Sequence, residues 1–222
     1  MRTQTENRPA PGRKHAVILC HPDTDSLNAA IARTYCDAVR ARHHRCEIRD
    51  LYAMGFDPVL KADEQPSSRP FVASPDVATE LSILQDADVI VLVYPIWFGT
   101  PPAMMKGYVE RVLGAGFGHR LMRERGEGSV VAGKHLVSVT TSGNTIQWLE
   151  GQGAWLSLRT VFDSYLVNAF SMASNTHLHL SSIVEGMSDQ AVSEELYRVT
   201  ETADTVCAML IQAARIPQES KG

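Results

Sequence analysis

The chain has 222 residues, 44% of them hydrophobic and 21% charged, with a formal net charge of −4. That is enough apolar material for one sizeable core of the globular type. The charge gives no basis for nucleic-acid binding, and no apolar run reaches membrane-spanning length.

In chain order, Met1 to Arg13 is polar and contains proline, without the apolar core of a signal peptide, and reads as a loose tail. His15 to Cys20 is a nearly continuous apolar run, as suits a strand buried on both faces of a parallel sheet. After the loop His21 to Ser26, a first helix is expected from Leu27 to Arg42, with Ile31, Tyr35, Ala38 and Val39 at helical spacing. The basic cluster Arg40, Arg42, His43, His44 and Arg45 reads as its C-terminal closure. Cys46 to Leu51 is a second strand, and Tyr52 to Ser74, with Pro58, Pro66 and Pro70, is a loop excursion.

Pro75 to Ala87 predicts a second helix and Asp88 to Tyr94 a third strand. A third helix is expected from Thr100 to Leu113, with Thr100 as N-cap and Pro101 at its first position. Gly114 to Gly133 is a second, glycine-rich excursion; Lys134 to Thr141 is a fourth strand. A fourth helix follows over Ala154 to Phe170, a short fifth strand over Thr176 to Ser181, and a long final helix from Ser188 to Ala214, with Ser188 as N-cap. Strand and helix alternate throughout, which predicts a single doubly wound α/β domain over 14–215 with a parallel sheet, followed by a short tail at 216–222.

Cys20, Cys36, Cys46 and Cys207 are scattered without metal-ligand spacing and read as buried or half-buried thiols in a reducing cytoplasm. His177 and His179 share one face of a strand, but no carboxylate or cysteine is near them in sequence, so no metal is expected. Gly114 to Gly118 follows a helix rather than a strand, so it is not a dinucleotide fingerprint.

The most informative stretch is Tyr94-Pro95-Ile96-Trp97-Phe98-Gly99-Thr100. It lies at the carboxyl end of a strand, where open α/β sheets place ligands. Trp97 and Phe98 offer flat apolar area, and backbone near Gly99 can approach a ring closely. A planar heterocycle such as a flavin fits these features; so does an ordinary strand-to-helix turn with two surface-packed aromatics.

Four pieces recur together in order: His21, Ser26 and Asn28 after the first strand; Asp50-Leu51-Tyr52 with Phe56-Asp57-Pro58 behind it; Trp97 to Gly107 followed by Tyr108, Glu110, Arg111 and Val112; and Thr140-Thr141-Ser142-Gly143. From His15 to Ser181 the chain resembles the flavodoxin-like NAD(P)H:quinone oxidoreductases of the DT-diaphorase type, whose bacterial members include ancillary reductases of potassium-efflux systems. The resemblance implies a five-stranded flavodoxin-like sheet with helices on both faces, and a flavin held by three loops. His21, Ser26, Leu27 and Asn28 would take its phosphate at the helix start, as unpaired first-turn amides favour. Pro95, Ile96, Trp97, Phe98 and Gly99 would line the isoalloxazine. Thr140, Thr141, Ser142 and Gly143 would hydrogen-bond its pyrimidine end.

The helix start looks like that of the FAD-binding quinone reductases, with FMN as the alternative. NAD(P)H would be co-substrate, a quinone or similar planar acceptor the second substrate, and the protein a homodimer with the site at its interface. Phe117, His119 and Trp148 would border the substrate. Family members often carry a tyrosine and a histidine in the loop after the fourth strand; Asn144 to Gly153 lacks both, so no catalytic residue carries over. The alternative is a flavin- and nucleotide-binding regulatory subunit of a membrane transporter.

Overall fold

The computed structural model describes residues 12–65, 68, 70–115 and 128–215. Five parallel strands form one sheet: β1 (Lys14–Leu19), β2 (Arg45–Asp50), β3 (Val89–Pro95), β4 (His135–Thr141) and β5 (Ser174–Leu180), in the order β2-β1-β3-β4-β5. All seven residues of β3 are buried, which explains its unbroken apolar sequence. Side chains alternate between two cores. Val17, Leu19, Val91 and Val93 pack with helix α1 (Leu27–Ala41) on one face. Ile18, Ile90, Leu92 and Tyr94 pack on the other with α2 (Pro75–Asp86), α3 (Ala103–Tyr108) and, beyond α4 (Ile146–Gly151), the segments α5 (Ala154–Leu158) and α6 (Tyr165–Ala169). The last helix, α7 (Asp189–Arg215), lies beside α1, and Arg42 at the end of α1 forks onto Asp204 at 2.6 and 2.7 Å. Strand order reverses between β1 and β3, so a crevice opens at their carboxyl ends. Among the described residues no helix is long and apolar enough to cross a membrane.

Several elements differ from the sequence expectation. Arg13, placed in the loose tail, is tied to Asp88 at 2.8 Å, and its carbonyl accepts from Arg45 N–H. The third helix starts at Ala103, because Thr100 closes a tight turn with Trp97 instead of capping the helix. It then continues as a π-helical turn, Val109–Leu113. The expected fourth helix is broken into α4, α5, a π-helical turn Arg159–Ser164, and α6, with Gly153 in the left-handed region before α5. Ser188 caps as expected, accepting from the Ala191 amide, and Ser26 caps α1, accepting from the Ala29 amide.

The cysteine reading is corrected. Cys36 and Cys46 form a disulfide with Cα atoms 5.2 Å apart; Cys20 and Cys207 are free and buried. His43, in the left-handed conformation, turns the chain after α1 so that β2 begins beside the last turns of that helix. This proximity has no signature in the residue spacing, and it removes the cysteine argument for a reducing compartment.

The 52–74 excursion is anchored by a residue the sequence did not single out for this role. Arg111, on the π-helical turn and fully buried, donates to Glu64 at 2.7 and 2.8 Å and to Asp76 at 2.8 Å. Its guanidinium also lies 5.1 Å from the centre of the Phe56 ring. The hydrogen bonds from Arg111 hold Glu64 down to about 2 and lower Asp76 as well. Gly107 has a packing reason: a Cβ there would sit 2.3 Å from the Pro58 carbonyl oxygen.

Candidate active site

Three strand-end loops meet at the crevice. In the first, His21 Nδ1 accepts from the Asp23 amide at 3.1 Å, which orders the loop after β1. Ser26 Oγ takes the Ala29 amide at 3.2 Å, and the first turn of α1 carries no acidic residue. The amides of Leu27 and Asn28 precede the first intrahelical bond and point out of the helix start. Asn28 itself is buried, and its Nδ2 donates to Thr141 Oγ1 at 3.1 Å, so the first and third loops are locked together.

The second loop follows β3. Ile96 N–H donates to the Thr141 carbonyl at 2.7 Å. Trp97 and Thr100 then exchange backbone bonds of 3.0 and 3.2 Å. Phe98 (φ 52°) and Gly99 (φ 81°) are the two central residues of this turn. A bulky residue at positive φ is strained, and such strain concentrates at functional sites. Here it holds the Phe98 ring fully in solvent, at a point where an apolar side chain has no folding role. A Cβ at Gly99 would meet no atom within 4 Å, so open space lies over that backbone. The Trp97 ring, partly exposed, is 5.9 Å from that of His21 and joins the second loop to the first.

The third loop leaves β4. Ser142 N–H donates to the Leu180 carbonyl at 3.0 Å, and a Cβ at Gly143 would touch only the Ile183 carbonyl oxygen, at 3.5 Å. The hydroxyls of Thr140 and Ser142 are engaged inside the protein. Thr140 Oγ1 lies 2.8 Å from His177 Nε2 and 2.9 Å from His179 Nδ1; Ser142 Oγ lies 3.0 Å from His179 Nε2. His177 Nδ1 meets Asp163, whose other oxygen accepts from Ser138 Oγ at 2.8 Å. Trp155 covers both imidazoles at 4.7 and 5.0 Å. Every ring nitrogen of the two histidines is therefore hydrogen-bonded, which suits a polar network rather than a metal pair. Burial, and secondarily His177, pushes His179 down to about 4, so it is neutral at pH 7.

The sequence reading missed this network because Asp163 is distant in sequence and reaches His177 only through the fold; the alternation of His177 and His179 on β5 was its one visible sign. The group His15, His44 and Cys207, with ligand-capable atoms within 4.8 Å of one another, includes the start of β1 and is no part of this site.

Beside the Phe98–Gly99 turn lies a largely apolar cavity of about 450 Å³, walled by Gly99, Thr100 and Lys106 on one side and by Leu158, Val161 and Phe162 on the other. Of the expected substrate-bordering residues, Trp148 is half exposed on α4 and is not in this wall; Phe117 and His119 lie outside the described residues.

These features fit a flavin. The first turn of α1 offers unpaired amides and no acidic residue, the Asp23 carboxylate in the loop before it being tied to the Asp25 amide at 2.9 Å, and the open backbone at Gly99 with the exposed Phe98 offers an apolar seat for a planar ring.

Comparison with known proteins agrees. A family model described as flavodoxin-like fold matches residues 13–202. An uncharacterized NAD(P)H oxidoreductase of Haemophilus influenzae is 29% identical over 179 residues, 80% of this chain and 87% of that one. NAD(P)H dehydrogenase [quinone] 1 of Cavia porcellus is 30% identical over 150 residues, 60% of this chain; the match spans 54% of that protein's length. The NAD(P)H:quinone oxidoreductase from Methanothermobacter marburgensis superposes with a TM-score of 0.76 at 22% identity, covering 88% of this chain and 96% of that one. The sheet order and the family model over residues 13–202 place the chain in the flavodoxin-like family, among relatives named NAD(P)H oxidoreductases.

Proposed function

We propose that this protein is a flavin-dependent NAD(P)H oxidoreductase that reduces quinones or similar planar acceptors by two-electron, ping-pong turnover. The observation that carries this reading is the convergence of the three loops on the strained, outward-facing Phe98–Gly99 turn. Accepting a hydride from NAD(P)H and passing it on is the chemistry the flavin supplies. The protein's part is to hold and orient. The Leu27 and Asn28 amides bind the phosphate. Ile96, Trp97, Phe98 and Gly99 seat the ring. The third loop, Thr141, Ser142 and Gly143, meets its pyrimidine end with the Gly143 amide as the donor, the Ser142 amide being taken by the Leu180 carbonyl; a donor there stabilises the charge of the reduced form. The flavin is FAD rather than FMN, on the likeness of the Ser26-x-Asn28 helix start to the FAD-binding quinone reductases. Steady-state kinetics with NADH or NADPH and a benzoquinone should give parallel double-reciprocal lines. Intersecting lines would mean that both substrates bind together and would overturn the ping-pong scheme.

The active form is a homodimer. Leu156, Val161 and Tyr165 expose apolar side chains next to the cavity, on the broken helical segment. Exposed apolar area of this kind marks an association surface. Light scattering should return about twice the chain mass of 24.4 kDa; a monomer with full activity would refute it. No observation on the described residues favours the transporter-subunit alternative.

A further inference from the structure

The network under the third loop has a property that no relative's name supplies. Its members form one continuous line of hydrogen bonds: Asp163, His177, Thr140, His179, Ser142 and the Asn144 carbonyl. Each hydroxyl owns one proton and each neutral imidazole one N–H. With these counts the line has two complete arrangements. In one, Ser142 donates to His179 Nε2, His179 Nδ1 donates to Thr140, Thr140 donates to His177 Nε2, and His177 Nδ1 donates to the Asp163 carboxylate; both imidazoles are neutral. In the other, every donor between Ser142 and His177 is reversed. Ser142 donates to the Asn144 carbonyl, and His177, protonated on both nitrogens, donates to Thr140 and to Asp163.

The two arrangements differ by one proton. A proton reaching Ser142 Oγ displaces that hydroxyl's own proton to His179 Nε2. The Nδ1 proton of His179 passes to Thr140, the Thr140 proton passes to His177 Nε2, and His177 ends as an imidazolium on the Asp163 carboxylate. The reverse sequence returns the proton to Ser142.

We propose that Ser142, His179, Thr140, His177 and Asp163 are a proton wire that stores one proton on the His177–Asp163 pair while the flavin is reduced and returns it when the acceptor takes the electrons. The proposal rests on the flavin reading above, which puts the pyrimidine end of the ring against Ser142. The chemistry needs such a store: NAD(P)H, a quinone and one proton give NAD(P)⁺ and a quinol, so a proton must come from elsewhere in each turnover. The line ends at the Asn144 carbonyl, one residue before the Thr145 cap of α4.

The surroundings suit storage. The side chains of His177 and Asp163 are 1% and 0% exposed, so the pair exchanges with solvent only through the line. Ser138 satisfies the second Asp163 oxygen. Trp155 seals the imidazoles from above. The other charged or titratable groups facing the wire are Arg198 on α7, which donates to the His179 carbonyl at 3.3 Å; Arg159, 5.8 Å from the Trp155 ring; and Tyr94 on β3, raised by burial and then by the Asp163 charge. Burial first, then His177 and Arg198, keeps the middle histidine neutral, which is what a conducting link requires and a terminal store does not.

The test is proton uptake on anaerobic photoreduction of the flavin-loaded protein, followed with a pH-indicator dye near neutrality. Wild type should take up about one proton more per flavin than His177→Gln or Asp163→Asn. Both variants should remain yellow with unchanged flavin stoichiometry. Equal uptake by wild type and a flavin-loaded variant would overturn the wire. Wild-type uptake no greater than that of free flavin in the same buffer would also overturn it, without any variant having to fold. A protein that binds no flavin would instead remove the reading on which the proposal stands, and that outcome is visible before any uptake is measured.

Discussion

Replacing Arg111 by Leu is expected to destabilise the fold by about 3–5 kcal/mol, the cost of leaving a buried carboxylate without its partner. Glu64 is 1% exposed and takes two charge-assisted bonds from Arg111; Asp76 takes a third and a fourth. Without the guanidinium, Glu64 retains only the Ser74 hydroxyl and amide. The pH dependence has a definite sign. The folded protein holds Glu64 at about 2, below its ordinary 4.5, and lowers Asp76 in the same direction. Their stabilisation is complete above the ordinary carboxylate range and is lost as pH falls through about 2. The stability gap between wild type and Arg111→Leu should therefore be widest near pH 7 and narrow from about pH 4.5 downward. Urea unfolding at pH 7 and at pH 3 measures it. A variant as stable as wild type at pH 7 would show that the 52–74 excursion does not depend on this ion pair.

The second large effect belongs to the loop after β3. Gly99→Val should cost about 1–3 kcal/mol through strain at φ 81° and should lower flavin content at least about tenfold. The two consequences have separate origins. Strain arises because a β-branched side chain disfavours the left-handed region. Loss of flavin arises because the new side chain fills the open space over the turn, where no protein atom lies within 4 Å of the added Cβ. Gly186→Val is the matched control, with φ 79° and equally open surroundings in the turn before α7. It should show the strain and keep the flavin. If both variants retain flavin, the ring does not lie over Gly99.

The fold was legible wherever a strand is buried on both faces. His15 to Cys20 and Asp88 to Tyr94 announce themselves by unbroken apolar sequence, and Ser26 and Ser188 mark their helix starts by type and position. The loops after β1 and β3 follow such strands, whereas β4, which leads into the third loop, carries Ser138, Thr140 and Thr141 among its buried residues. Four features were not legible. Thr100-Pro101-Pro102 resembles a helix start, but Thr100 is used by the preceding turn, and a backbone bond to Trp97 outweighs its capping preference. Arg111 follows its helix like any surface cation in sequence; only the return of Glu64 and Asp76 from other segments makes it an anchor. The wire depends on Asp163 reaching β5 from a π-helical turn, and a π turn shifts side-chain direction in a way that 3.6-residue periodicity does not anticipate. The Cys36–Cys46 bond is of the same kind, set by a left-handed His43 rather than by spacing.

The central claim is that the three loops hold a flavin, and the visible absorption spectrum of the purified protein tests it most directly, with chromatography of the cofactor released on heating. The purified protein should be yellow, carry one FAD per chain and be bleached by NADH or NADPH under anaerobic conditions. A colourless protein that takes up neither FAD nor FMN would contradict it and would leave the flavodoxin-like fold without the proposed activity.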